Sequence, residues 1–387
     1  MKSIHQLIGG TGAILAVAMF ASISAHESGI VGRPDGRRLF ERETFGGNGR
    51  TCSTCHTSAT GTISPVEAQK RFKANARDPL FVHDGSDDGK GNGVSRMLSD
   101  ATVLVQIPLP PNVSLADDPS ARSVVVRRGI PSTVNTPALD RVLMMDGRQP
   151  DLASQAASAI AGHAQAKRVP TDAEVRRITD FEATADAFFS SPALREFARG
   201  GPAPRLPQGR TDAEKRGRRF FEDVTDLVDF KHGACAACHS GPMLNETNEL
   251  LFVVAKVPVH TRFQSVRVSE VNDARNPTHE YVFTNPDGTT TRLVSPDPGR
   301  ALITGIGKES GQFDNVNAFK IPTLWGVSRT APYFHDNSAR TLEDVVAQYN
   351  KFFEVASDPD GPGPKGPLVV LTQDDEADIV AYLKLLK

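Results

Sequence analysis

The sequence predicts a mainly α-helical chain of two similar units, with long loops and a small β-hairpin insert. Three observations predict it. Capped amphipathic stretches recur along the chain. The hexapeptide GRRLFE (36–41) returns as GRRFFE (217–222), each time about a dozen residues ahead of a cysteine motif. Finally, EYVFTNPDGTTTRLVSP (280–296) alternates apolar residues around a Pro-Asp-Gly turn.

In order, the chain opens with Lys2, an apolar run and a small-residue cluster ending near Ala25. This reads as a secretory signal peptide over 1–25, with an uncleaved anchor as the alternative. About 360 residues then remain, enough for two or three domains with cores of their own.

The first unit is assigned to 26–200. GRRLFE reads as the end of an amphipathic helix, with Phe40 inward and the arginines in water. SPVEAQKRFKAN (64–75) reads as a helix, and FVHDGSDDGKGNG (81–93) as a turn-rich loop. Its Asp84, Ser86 and Asp88 faintly resemble a calcium loop, but Ser95 stands where a glutamate is needed, so a plain surface loop is the reading. VLVQIPLPPNV (103–113) is extended, and its prolines keep it out of any central strand. Helices follow at 151–166, capped by Asp151, and at 171–190.

A Pro/Gly-rich break (199–216), with Thr211 or Asp212 as a helix cap, leads into the second unit, 201–387. That unit holds GRRFFE with Phe221 inward, the hairpin, a His-Asp-Asn turn joined to a short amphipathic helix in PYFHDNSARTLEDVVAQYN (332–350), and a closing amphipathic helix at 375–387.

The charge balance, 44 basic against 46 acidic side chains, has no long run of either sign. Nucleic acid and anionic membrane surfaces are therefore not expected partners. With 27 prolines, 32 glycines and 6% aromatic residues, much of the chain should be loop around something that supplies hydrophobic bulk. A large cofactor would do so.

All four cysteines fall in TCSTCH and ACAACH: Cys52, Cys55, Cys235 and Cys238. Each pair is C-x-x-C-H, the attachment pattern of c-type haem. Two thiols add to the vinyl groups, and the next residue, His56 or His239, binds iron through imidazole. Disulfides and zinc are the alternatives, and neither accounts for a histidine after both pairs. The expected fold is thus two cytochrome c-like haem domains carrying two covalent c-type haems.

With these motifs, PSTVNTPALDRVLMMDGRQPDLASQA (131–156) and FKIPTLWGVSRTAPYFHDNSARTLEDVVAQY (319–349), the chain resembles the bacterial dihaem cytochrome c peroxidase and MauG family over nearly all of its mature length. The resemblance implies that the His56 haem meets hydrogen peroxide and the His239 haem handles electrons. The family's peroxidases place a methionine ligand fourteen residues after the histidine of His-Asp-Gly; counted from His335, that position is Tyr349. MauG-like members have tyrosine there, which implies His239/Tyr349 ligation. The alternative is a core tyrosine on the face of Leu342, Val345 and Val346. Met243, the rival ligand, lies only four residues past His239.

The resemblance also implies that Gln155 shapes the distal pocket, that Arg148 pairs with a propionate, and that Thr330 and Pro332 offer backbone carbonyls to a calcium ion. The family's inter-haem tryptophan is Met145 here, and its acid-base glutamate is Gln165. A neutral amide takes no proton from peroxide; His163, two residues earlier, can. Positions two apart do not share a helix face, so only one of His163 and Gln165 should face iron. His163 could also be a surface or core histidine. His83 is the candidate for a distal ligand that leaves on reduction, although an open first haem is preferred. The lone tryptophan, Trp325, stands near the second haem, in packing or in a redox role.

The expected function is a periplasmic oxidoreductase that uses hydrogen peroxide to oxidise a protein or small-molecule donor. The alternatives are a classical peroxidase fed by a small cytochrome c or copper protein, and a non-catalytic electron-transfer cytochrome. A monomer or homodimer is expected.

Overall fold

The computed structural model describes residues 35–224, 229, 231–271, 276–308, 314–357 and 369–387. The signal-peptide reading lies outside the described residues. The helices begin where the sequence places caps. Asp35 accepts the Arg38 backbone N–H at 2.6 Å at the start of helix Gly36–Arg42, which buries Leu39 and Phe40. Ser64 caps Pro65–Ala74, and Asp151 caps Leu152–Gly162. Thr171 and Glu174 form a capping box on Asp172–Thr184, as Thr211 and Glu214 do on Asp212–Arg218.

The hairpin forms as His279–Thr284 against Thr290–Ser295, and Val113–Leu115 adds a third antiparallel strand to it. This strand comes from the first half of the chain, so one sheet draws on both proposed units. A second pair was not anticipated: Thr102–Pro108 lies antiparallel to Ser123–Gly129. The Val124–Val126 run lacks clean alternation, which hid the strand. A two-stranded sheet is all edge, so Pro108 costs it no central ladder bond. The architecture is helix-rich with three small sheets among the described residues.

Three apolar clusters frame the site. Leu39, Phe40, Ile160, Ile178 and Phe188 pack beside Cys52. The rings of Phe40, Phe181 and Phe188 meet at 5.3 to 5.7 Å between centroids, two of the three pairs edge to face. A second cluster joins the sheets to Cys55, and the third packs Phe220, Phe221, Trp325 and the C-terminal helix Gln373–Leu383 around Cys235.

Candidate functional site: two cavities with histidine and thiol walls

Both cysteine motifs fold the same way. Cys52–Cys55 is a single helical turn, and the His56 backbone N–H donates to the Cys52 carbonyl at 3.0 Å. In the second copy the His239 N–H donates to the Cys235 carbonyl at 2.9 Å. Each imidazole then gives its Nδ1–H to a carbonyl five residues on, His56 to Gly61 at 2.8 Å and His239 to Leu244 at 2.9 Å. A carbonyl only accepts, so Nδ1 carries the proton and Nε2 keeps its lone pair. Burial lowers both histidines, His239 to about 4, so each ring is neutral, as a metal ligand must be.

All four thiols are free, and burial raises each of them, Cys235 and Cys238 to about 12. The cavity beside each motif is walled by its two thiols and its histidine among apolar side chains. That donor set fits a c-type haem. Cys52, Cys55 and His56 would hold one, and Cys235, Cys238 and His239 the other.

Across the second cavity, Tyr349 on helix Leu342–Ser357 points its hydroxyl at His239 Nε2, 3.2 Å away. Burial pushes the phenol well above its ordinary range. Met243 is buried in core and does not line this cavity. Trp325 does line it, and donates its Nε1–H to the Pro242 carbonyl at 2.9 Å. Thr330 and Pro332 lie on the same wall. No group of three or more His, Cys, Asp or Glu among the described residues is placed to hold a metal ion. Ile130, Pro131, Ser132, Thr136 and Met145 line both cavities, so Met145 stands in the partition between them.

The first cavity contains His56, Arg148, Gln155 and His163, but neither His83 nor Gln165. Gln165 requires correction as a distal residue. Its helix ends at Gly162, and Gln165 itself adopts a left-handed φ of 49°. Its exposed amide oxygen instead accepts from Asn48 Nδ2 at 3.2 Å. Arg148 reaches the cavity while its Nη1 donates to Asp146 at 2.9 Å. His163, the cap of the same helix, hydrogen-bonds through Nδ1 to Asp84 Oδ2 at 2.5 Å. The loop carboxylates considered for calcium are thus engaged within the protein: Asp84 by His163 and Arg50, and Asp88 by the Lys90 and Asn92 backbone N–H groups.

Sequence reasoning passed over Arg50 and Glu182 and placed Asp84 in a plain surface loop, whereas the structure buries Asp84 and Ser86. Asp84's partners lie 34 and 79 positions away, so no local pattern marks it. Glu182 lines the first cavity at 5% exposure, with its Oε2 lacking a hydrogen-bond partner. Its only signal is an acidic residue on the apolar face of its helix. Burial pushes its carboxyl up to about 8 from an ordinary 4.5. Between those values the folded chain keeps a proton that the unfolded chain has lost, so stability falls as pH rises. Unfolding free energies measured from pH 5 to 8 should show Glu182→Gln gaining on the unaltered protein by on the order of a few kcal/mol.

No family model matches the chain. It is similar to cytochrome-c peroxidase IdrP1 of Denitromonas iodatirespirans, 28% identical over 191 residues, covering 48% of this chain and 45% of that protein. Cytochrome c551 peroxidase of Nitrosomonas europaea is 26% identical over 162 residues, 41% of this chain and 31% of that one. The hydrazine synthase gamma subunit of Kuenenia stuttgartiensis is 27% identical over 191 residues, 48% and 44%. The match spans less than half the length of each of these relatives.

Among solved structures, a MauG-like protein associated with microbial copper homeostasis aligns at a TM-score of 0.47 and 17% identity, over 91% of this chain and 87% of that one. The diheme peroxidase BthA from Burkholderia thailandensis aligns at 0.41 and 15%, over 92% and 86%. Backbone likenesses at that level carry no weight on their own. Both C-x-x-C-H motifs wall cavities of matching donor chemistry, and over less than half of its length the chain is similar in sequence to bacterial cytochrome c peroxidases.

Proposed function

We propose that the protein is a periplasmic dihaem c-type oxidoreductase that uses hydrogen peroxide to oxidise a protein or small-molecule donor, in the manner of MauG. The observation that carries this reading is Tyr349 facing His239 Nε2 at 3.2 Å in the second cavity. The two units, 26–200 and 201–387, would each carry one haem, attached by thioether bonds. When bound, the haems would supply the redox chemistry, and Cys52, Cys55 and His56, with Cys235, Cys238 and His239, would hold them.

The chain's residues set the terms for that chemistry. The carbonyls of Gly61 and Leu244 orient the two proximal imidazoles. Tyr349 keeps its proton in an apolar wall, so it becomes a phenolate only beside a strong local positive charge. A phenolate donates charge and favours the oxidised metal, whereas a thioether favours the reduced one. His163 offers the first cavity an imidazole that can accept a proton. Met145, in the partition, offers no aromatic ring between the sites. Calcium at Thr330 and Pro332, and a monomer or homodimer exported by the leader at 1–25, complete the proposal. Among the described residues no helix is long and apolar enough to cross a membrane.

One equivalent of hydrogen peroxide added to the ferric protein without reductant tests the reading. Optical spectra are expected to change in both haems, and to recover when an electron donor is supplied. No response to peroxide would leave an electron-transfer cytochrome. Turnover that requires prior reduction by a small cytochrome c or copper protein would favour the classical peroxidase.

A further inference from the structure

Asp84 lies almost fully buried between Arg50 and His163. The Arg50 guanidinium is 2% exposed and uses every donor it has. Nε donates to the Pro79 carbonyl at 2.8 Å, and Nη2 to the carbonyls of Leu80 at 3.0 Å and Val82 at 2.6 Å. Nη1 donates to Asp84 Oδ1 and, at 3.2 Å, to the His163 carbonyl. A side chain so tied has one position, and it fixes Oδ1 of Asp84. The other oxygen, Oδ2, is left for His163 Nδ1 at 2.5 Å.

The packing around this group admits no slack. A Cβ on Gly85 would sit 2.6 Å from Arg50 Nη2 and 2.0 Å from the Leu80 carbonyl oxygen. Burial alone would push the Asp84 carboxyl up, but the hydrogen bond from His163 and the Arg50 charge outweigh it and hold the group below its ordinary value. An ionised Asp84 can only accept, so Nδ1 of His163 must carry a proton and Nε2 is the atom left to gain or lose one. The imidazole ring lines the first cavity, and its side chain is 36% exposed, enough to exchange protons with solvent.

We propose that Asp84, locked by Arg50, is a positioning residue that makes His163 Nε2 the proton-holding atom of the first cavity. This relay takes over the task for which Gln165, turned away toward Asn48, has neither the chemistry nor the position. The inference rests on the reading of the first cavity as the peroxide site. Besides Arg50, the other titratable or charged groups lining that cavity are Glu43, Cys52, Cys55, His56, Arg128, Arg148 and Glu182, and a charge on His163 opposes one on His56. The nearest opposite charge is Asp84. It orients the ring and fixes its tautomer, as the carboxylate of an Asp–His pair does elsewhere.

Cyanide binding to the ferric holoprotein reads this out without turnover, because hydrogen cyanide binds iron as the anion and must leave its proton on a base. Stopped-flow association of potassium cyanide at neutral pH is the readout. Asp84→Asn should slow association several-fold, and His163→Gln should slow it roughly tenfold or more. Should Asp84→Asn fail to fold, nitrogen-15 spectra of histidine-labelled holoprotein, with His163 assigned through His163→Gln, decide the same point. Protonated Nδ1 with a titrating Nε2 supports the relay, and the reverse overturns it. Cyanide association at an unchanged rate in both variants overturns the relay alone. No cyanide binding in the unaltered protein overturns the peroxide-site reading and the relay with it.

Discussion

Replacing Tyr349 with methionine is expected to raise the reduction potential of the second haem by on the order of 0.1 V or more. The tyrosine hydroxyl and His239 Nε2 face one another at 3.2 Å, and the helix carrying Tyr349 is anchored by buried Leu342 and Val346. If Tyr349 serves the second haem as proposed, a methionine on that helix would present a neutral thioether in place of an anionic oxygen. The ferric form would lose its charge donor, and the ferrous form would become easier to reach. Potentiometric titration of the two haems checks this, with the first haem as the internal control. A second-haem potential that does not move would place Tyr349 in the core and not at the iron.

The largest expected stability effect comes from Arg128. Its guanidinium is 2% exposed and pairs bidentately with Asp297, Nε to Oδ2 at 2.7 Å and Nη2 to Oδ1 at 2.8 Å, while Nη1 donates to Asp146. Both carboxylates are fully buried. The cluster ties a strand of the first half to a loop of the second, directly beside the first cavity. Arg128→Met leaves Asp297 without its partner and Asp146 with Arg148 alone. The expected loss is about 3–5 kcal/mol, read from guanidinium denaturation at neutral pH. Lysine should recover only part of it, because an ammonium cannot make the paired contact. The penalty should shrink in acid. Burial raises Asp146, but the charges of Arg128 and Arg148 outweigh it and hold the group low, so its stabilisation is present above the ordinary carboxylate range and fades as pH falls through it.

How much of this was legible in the sequence depended on how far apart the partners lie. Caps and helices are local, and Ser64, Asp151, Thr171 and Thr211 stand where the structure starts its helices. The Pro-Asp-Gly hairpin is local too. The pairing of Thr102–Pro108 with Ser123–Gly129 was not, because neither strand alternates clearly and a long connection separates them. At the site, the C-x-x-C-H motifs carry their chemistry within six residues. Tyr349 could be approached only by counting from His335 under a family resemblance, and Gln165 shows where such counting fails. The helix stops three residues before it, so equal spacing no longer means an equal direction. Arg50, Asp84 and Glu182 act through burial and distant partners, which no window of sequence displays.

Electron paramagnetic resonance of the resting ferric protein tests the central claim most directly, namely two haem sites with different tasks. One high-spin signal from the His56 haem and one low-spin signal from the His239 haem are expected, the latter lost in Tyr349→Phe. Two low-spin signals, both unchanged in Tyr349→Phe, would contradict the account.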